Sequence, residues 1–152
     1  MSKIKTLHIE ILFIILLSLI FILWGRIFYS ELNKPKLIEN IITQKDRIEV
    51  LSSFGWEVAK ESEIYAPLQI PKDFDAIYNE YNKIQKMSGF DLFPYRGKTL
   101  EKYTYLALNF PKSEDKTIYI NILISDGKLV GGDCVNPSLS GFILPLDRRF
   151  LP

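Results

Sequence analysis

Cysteine and histidine are almost missing from this chain. Its 152 residues include one of each, Cys134 and His8. A single cysteine excludes an intramolecular disulfide and any Cys-pair zinc site. The chain after His8 has no histidine. That excludes Ser-His-Asp and Cys-His activation of a nucleophile in the folded part, and HExxH zinc chemistry with it. An excess of charge of one sign is missing too. Nineteen Lys and Arg face 18 Asp and Glu, for a net charge of +1. Beyond residue 29 the balance is sixteen against seventeen. Such a chain does not bind nucleic acid by neutralising phosphates, so no nucleic-acid partner is expected. No repeat of 20–50 residues is present.

What the chain does have is one long apolar run. Ile11 to Gly25 carry no charge, and twelve of the fourteen residues from Ile11 to Trp24 are Leu, Ile or Phe. Summed on the insertion scale, that run is worth roughly −5 kcal/mol. Glu10 and Arg26 stand at its ends, where charge costs far less than at a bilayer centre. Extended from Leu7 to Tyr29, the segment reaches roughly 34 Å as a helix, enough to span. Trp24, Phe28 and Tyr29 then fall where interfacial aromatics sit. We read residues 1–29 as an uncleaved membrane anchor, with the lipid bilayer contacting residues 7–29. The competing reading is a cleaved signal peptide. Against it, Phe28 occupies the position where cleavage after Ser30 wants a small residue, and no A-x-A pattern is present. The short N-terminal flank points to an N-terminus inside and a domain outside the cytoplasm.

Residues 30–43 read as a linker broken by Pro35, with Leu37, Ile38, Ile41 and Ile42 available to pack on the edge of a domain spanning 44–152. Thr43 caps a helix, with Asp46 three residues on and Gly55 ending it. Trp56 to Ala59 alternates as a strand. Pro67 and Pro71 bracket a second extended piece, Leu68 to Ile70. The next helix has an apolar stripe of Phe74, Ile77, Tyr78, Tyr81 and Ile84, and Gly89 closes it. The rest is β: residues 99–110, 117–125 and 128–135, with Phe142 to Leu144 as a short addition. Ile118, Ile120, Ile122 and Ile124 line one face, alternating with Tyr119, Asn121, Leu123 and Ser125. Asp126-Gly127 predicts a two-residue hairpin. An unbroken ladder from that turn would put Asp133 among the isoleucines, which is costly. A bulge at Gly131-Gly132 instead turns Cys134 inward and Asp133 outward. The expected fold is α+β: a transmembrane helix, then two helices covering one face of an antiparallel sheet of three to five strands. The element order argues against a doubly wound parallel sheet.

Five stretches carry a resemblance: RIEVLSSFGWEV (47–58), IPKDFDAIYNEYNKIQKMSGFDL (70–92), YRGK (95–98), YTYLALNFP (103–111) and ILISDGKLVGGDC (122–134), with Gly141-Phe142 fitting as well. Together they resemble a family of small membrane-anchored proteins of unknown function from Gram-positive bacteria. The resemblance implies architecture and anchoring. It supplies no activity and no site residues.

No catalytic, cofactor-binding or metal-ligating residue emerges, and no cofactor is called for. Gly131-Gly132-Asp133 lacks the G-x-G-x-x-G spacing and opens no helix. Asp73 with Asp75, Glu57 with Glu61 or Glu63, and Asp126 with Asp133 are the carboxylate pairs available to a hydrolase. The tyrosines are the more suggestive feature. Tyr103 and Tyr105 share a strand face, and Tyr119 is available to join them across the ladder, as amphipathic aromatics do at binding surfaces. Ordinary packing of the same rings is the plain alternative. The leading expectation is a non-enzymatic, membrane-tethered binding module outside the cytoplasm, contacting an envelope protein, peptide or wall polymer through these tyrosines. The alternatives are a small envelope hydrolase using paired carboxylates and an anchored cytoplasmic accessory subunit.

Overall fold

The computed structural model describes residues 15–26, 38–111 and 117–151. The chain divides into two compact units, Met1–Lys34 and Pro35–Pro152. In the first, residues 15–26 are helical (α1) and exposed throughout, Phe21 at 81% and Trp24 at 73%. Among the described residues no helix is long and apolar enough to cross a membrane. Positions 7–14 and 27–29 of the expected anchor, and 30–37 of the expected linker, lie outside the described residues.

The second unit is α+β. Five strands, β1 (Val58–Gln69), β2 (Thr99–Ala107), β3 (Tyr119–Ser125), β4 (Lys128–Asn136) and β5 (Phe142–Pro145), form one antiparallel sheet in chain order. Two helices flank it, α2 (Gln44–Ser53) and α3 (Ala76–Met87). The start of α2 is the expected capping box. The Thr43 hydroxyl accepts from the Asp46 amide at 3.2 Å, and the Asp46 carboxylate accepts from the Thr43 amide at 2.7 Å. Gly55, at φ 88°, takes the left-handed position past its end. Ahead of α2 the chain clasps the hairpin tip. The Leu129 amide donates to the Ile38 carbonyl, and the Ile41 amide to the Gly127 carbonyl, both at 3.0 Å. Ile41 is buried, whereas Ile42 points out at 77% exposure.

Two sequence expectations about β1 are corrected. The pieces around Trp56–Ala59 and Leu68–Ile70 are one strand that begins at Val58 and runs through Pro67. It does so because β1 is an edge strand, where a residue without an N–H can face outward. It also carries a large irregularity: Ala59 pairs with Leu106 and Ile64 with Thr104, so residues 60–63 stand opposite Tyr105 alone.

The hairpin is as expected, with Asp126 and Gly127 both at positive φ, 51° and 71°. The predicted bulge forms one residue early. Ile124 pairs with Leu129 and Leu123 with Gly131, which makes Val130 the extra residue. Cys134 then pairs with Ile120 on the isoleucine face, and Asp133 goes to the other face. Asp133 is not solvated there; it is 4% exposed. Both glycines sit at close approaches, Gly131 to side-chain ends and Gly132 to backbone, where only glycine fits. A Cβ on Gly131 would lie 2.9 Å from Gln85 Oε1, and one on Gly132 would lie 2.7 Å from the Asn121 carbonyl oxygen.

The larger correction is that the helices cover opposite faces, not one. On the first face α2 contributes Val50 and Leu51 to a core with Ile118, Ile120, Ile122, Ile124, Leu129, Cys134, Trp56 and Tyr105. On the second face Leu123 and Val130 pack with Ile70, Leu92 and Leu100, beneath Phe74, Tyr78 and Tyr81. Both sets of side chains in β3 are buried, so its alternation could not say which face was solvated. The stripe of α3 is also rotated from the expected one. Its buried residues are Asn82 and Gln85, and Ile77 is 79% exposed. The reason lies at the end of β5: its pairing with β4 stops at Asp133, and the next amide, that of Gly132, is answered by Gln85 Oε1 at 2.8 Å.

Candidate interaction surface

The irregularity in β1 places Glu63 on the α2 face, where it meets Arg47. Arg47 donates to Glu63 through Nε (3.0 Å) and Nη2 (2.9 Å), a bidentate pair with the arginine side chain 8% exposed. The Tyr105 hydroxyl donates to the Glu63 carboxylate and accepts from Arg47 Nε at 3.2 Å. Burial alone would raise the Glu63 carboxyl; the bonds from Arg47 and Tyr105 outweigh it and hold it below the usual range. For Tyr105, burial and then the Glu63 bond push the phenol upward. The Arg47 guanidinium also lies 3.9 Å from the centre of the Tyr103 ring. Tyr103 in turn packs against Tyr65 at 5.4 Å and donates to Glu101 at 2.8 Å.

Tyr103 and Tyr105 therefore share a face, as the alternation said. Tyr105 is fully buried, and its hydroxyl is consumed by the ion pair. Tyr119 is not with them. It pairs with Leu106 and Val135 on the opposite face.

That opposite face has two halves. α3 packs over β4 and β5. Beneath it lies a polar network: the Tyr81 hydroxyl donates to Asp133 Oδ2, Asn121 Nδ2 donates to Asp133 Oδ1, and the Thr104 hydroxyl donates to Asn121 Oδ1, each at 2.6 Å. Burial raises the Asp133 carboxyl despite the bonds from Tyr81 and Asn121. No cation pairs with it among the described residues. Among the described residues no helix covers the other half, where Leu106, Tyr119 and Val135 are half-buried. Register sets Ala59, Leu106, Tyr119, Val135 and Ile143 side by side across all five strands. At strand spacing that row is about 19 Å long. Exposed apolar side chains border it, Ile64 at 57% and Leu108 at 62%, and Ile143 within it is exposed at 46%.

A family model of a domain of unknown function, DUF4830, matches residues 50–134. The chain belongs to this family. No curated protein and no solved structure matches it. The DUF4830 match begins within α2, ends at Cys134 and holds both faces of β1 to β3. Ile143 and β5, which complete the open row, follow it.

The remaining candidates of the DUF4830 chain fall apart in space or inward. Glu57 and Glu61 stay exposed while Glu63 is drawn to Arg47. Asp75 caps α3, its Oδ1 accepting from the Tyr78 amide at 2.7 Å, and Asp73 is exposed. Asp126 lies at the exposed turn and Asp133 under α3. Cys134 is fully buried; burial and then the nearby Asp133 push its thiol up to about 12. Among the described residues no group of three or more His, Cys, Asp or Glu side chains could hold a metal ion. Sequence reasoning missed Ile64, Leu106, Leu108, Val135 and Ile143. The parity of Tyr119 against the isoleucines was the signal for their face.

Proposed function

We propose that this DUF4830 protein is a membrane-tethered, non-enzymatic binding module, with residues 7–29 in the bilayer, the N-terminus inside and the domain outside the cytoplasm. The observation that carries the binding reading is the row through Leu106, Tyr119, Val135 and Ile143, which no helix covers among the described residues. A folded chain seldom leaves such a strip open across a whole sheet without a use for it. Its chemistry suits the apolar side of an envelope protein or peptide better than a wall polymer, because the row itself offers one hydroxyl, that of Tyr119. The tether rests on the uncharged run from Ile11 to Gly25. The resemblance to small anchored proteins of Gram-positive bacteria supports the same placement.

Cross-linking in intact membranes tests the binding half. The full chain should capture a protein or peptide, and Leu108→Lys with Ile143→Lys should abolish the capture. Unchanged capture by that double variant would remove the row from the reading, and cleavage of wall fragments by the purified chain would remove the non-enzymatic half. Protease treatment of intact cells tests the side of the membrane: the domain should be digested from outside.

A further inference from the structure

Away from the open row, Lys72, Arg96 and Lys98 stand together, none of them in an ion pair among the described residues. All three are exposed. They are contiguous with aromatic side chains. The Arg96 guanidinium lies 3.6 Å from the Phe93 ring centre, and Lys98 Nζ 5.4 Å from that of Tyr95. Lys72 lies against Gly97, its Cγ 3.2 Å from where a Cβ would stand. Phe93 meets Phe74 edge-on at 5.9 Å and is itself 48% exposed. Ile77, in the first turn of α3, is 79% exposed. Of the nearby acids, Asp75 is engaged in capping α3, Asp91 accepts from the Phe93 amide and pairs with Lys86, and Asp73 remains.

Among the other described cations of this unit, Lys60 and Lys102 are also unpaired, and Arg148 donates to the Asn109 carbonyl at 2.9 Å. Lys45, Lys83, Lys86, Lys128, Arg47 and Arg149 each hold a carboxylate. Exposed cations stacked beside a half-exposed ring are what an interfacial contact needs. The rings prefer the headgroup region and the cations meet anionic lipid. We propose that the rim formed by Lys72, Phe93, Arg96 and Lys98 rests on the anionic surface of the bilayer. This rests on the tethered reading above, because three cations and one exposed ring are too little for stable binding without an anchor nearby.

The full chain carrying Trp24→Phe and Phe93→Trp, reconstituted in vesicles with brominated acyl chains, tests it. Trp56 is buried and gives a constant background. Fluorescence at position 93 should fall at least about twofold more in phosphatidylglycerol vesicles than in phosphatidylcholine vesicles. Adding K72E/R96E/K98E should erase that difference, as should 1 M salt, where the screening length shrinks to about 3 Å. Equal quenching in both lipids, or quenching that survives charge reversal, overturns the rim contact. An equal response to inorganic polyphosphate in phosphatidylcholine vesicles overturns it in favour of a soluble polyanion. The anchor is read separately. A chain that floats with both vesicle types but shows no lipid difference keeps the tether and loses the rim. A chain that floats with neither loses the tether.

Discussion

The two faces of the sheet are built by different physics. On the α2 face, a row of isoleucines meets Trp56, Val50 and Leu51, and the single charged group inserted there, Arg47, is matched by a bidentate carboxylate. On the α3 face the apolar cluster is smaller, and the helix is fastened by Tyr81 to Asp133 and by Gln85 to the Gly132 amide. Apolar burial is non-directional and strong, so the first face sets stability. Hydrogen bonds are directional and individually weak, so the second sets where α3 sits and leaves room beside it. A sheet stabilised mainly from one side can keep part of the other open.

That contrast can be broken at its strongest point first. Trp56→Ala, which empties a 1% exposed site and removes a 2.6 Å bond to the Leu146 carbonyl, should cost about 3–5 kcal/mol in urea unfolding. A cost below about 1 kcal/mol would mean that the α2 face is not the main core. Arg47→Ala leaves Glu63 without its cation and should cost about 3 kcal/mol, whereas Arg47→Met with Glu63→Gln should lose clearly less. If the double variant is as damaged as the single one, the pair matters through packing alone.

Asp133 sharpens the comparison through pH. Burial raises its pKa in the folded chain, while the unfolded carboxyl titrates near about 3.9. The stability contributed by its protonated form is complete below that value. It is lost as pH climbs from about 4 through the folded pKa, at no more than about 1.4 kcal/mol per unit. Asp133→Asn should therefore flatten the decline in that window. Asp91 and Asp147, whose carboxyls are lowered, act in the opposite sense and persist in both chains, so the difference curve isolates Asp133. Parallel curves would remove Asp133 from the account. Smallest in stability is Leu108→Lys, expected within about 0.5 kcal/mol of the parent chain by the same unfolding assay. A larger loss would show that the open row already has an occupant within the chain.

The legible parts of this fold were those governed by neighbours in sequence. Thr43 and Asp46 announced a cap, Asp126-Gly127 a turn, and the cost of a carboxylate among isoleucines announced a bulge. What escaped depended on distant pairing. Asn121 and Leu123 stood opposite the isoleucines, and nothing local says that α3 will return over them. Ile77 looked inward because an apolar residue on a helix usually is. Asn82 and Gln85 displaced it, since Gln85 answers an amide 47 positions later, just past the reach of β5. The open row was hidden for a related reason. The connection from β2 to β3 is too long to fix their register from the turn, so Tyr119 could not be assigned a side relative to Tyr103 and Tyr105.

Pro67 and Pro145 stand in the two strands that have a neighbour on one side only. Neither can offer an amide hydrogen to an incoming chain. Copies crowded together would thus find no continuous margin on which to extend the sheet, and association by lateral polymerisation is interrupted at both ends while the flat of the sheet stays open for a chosen contact.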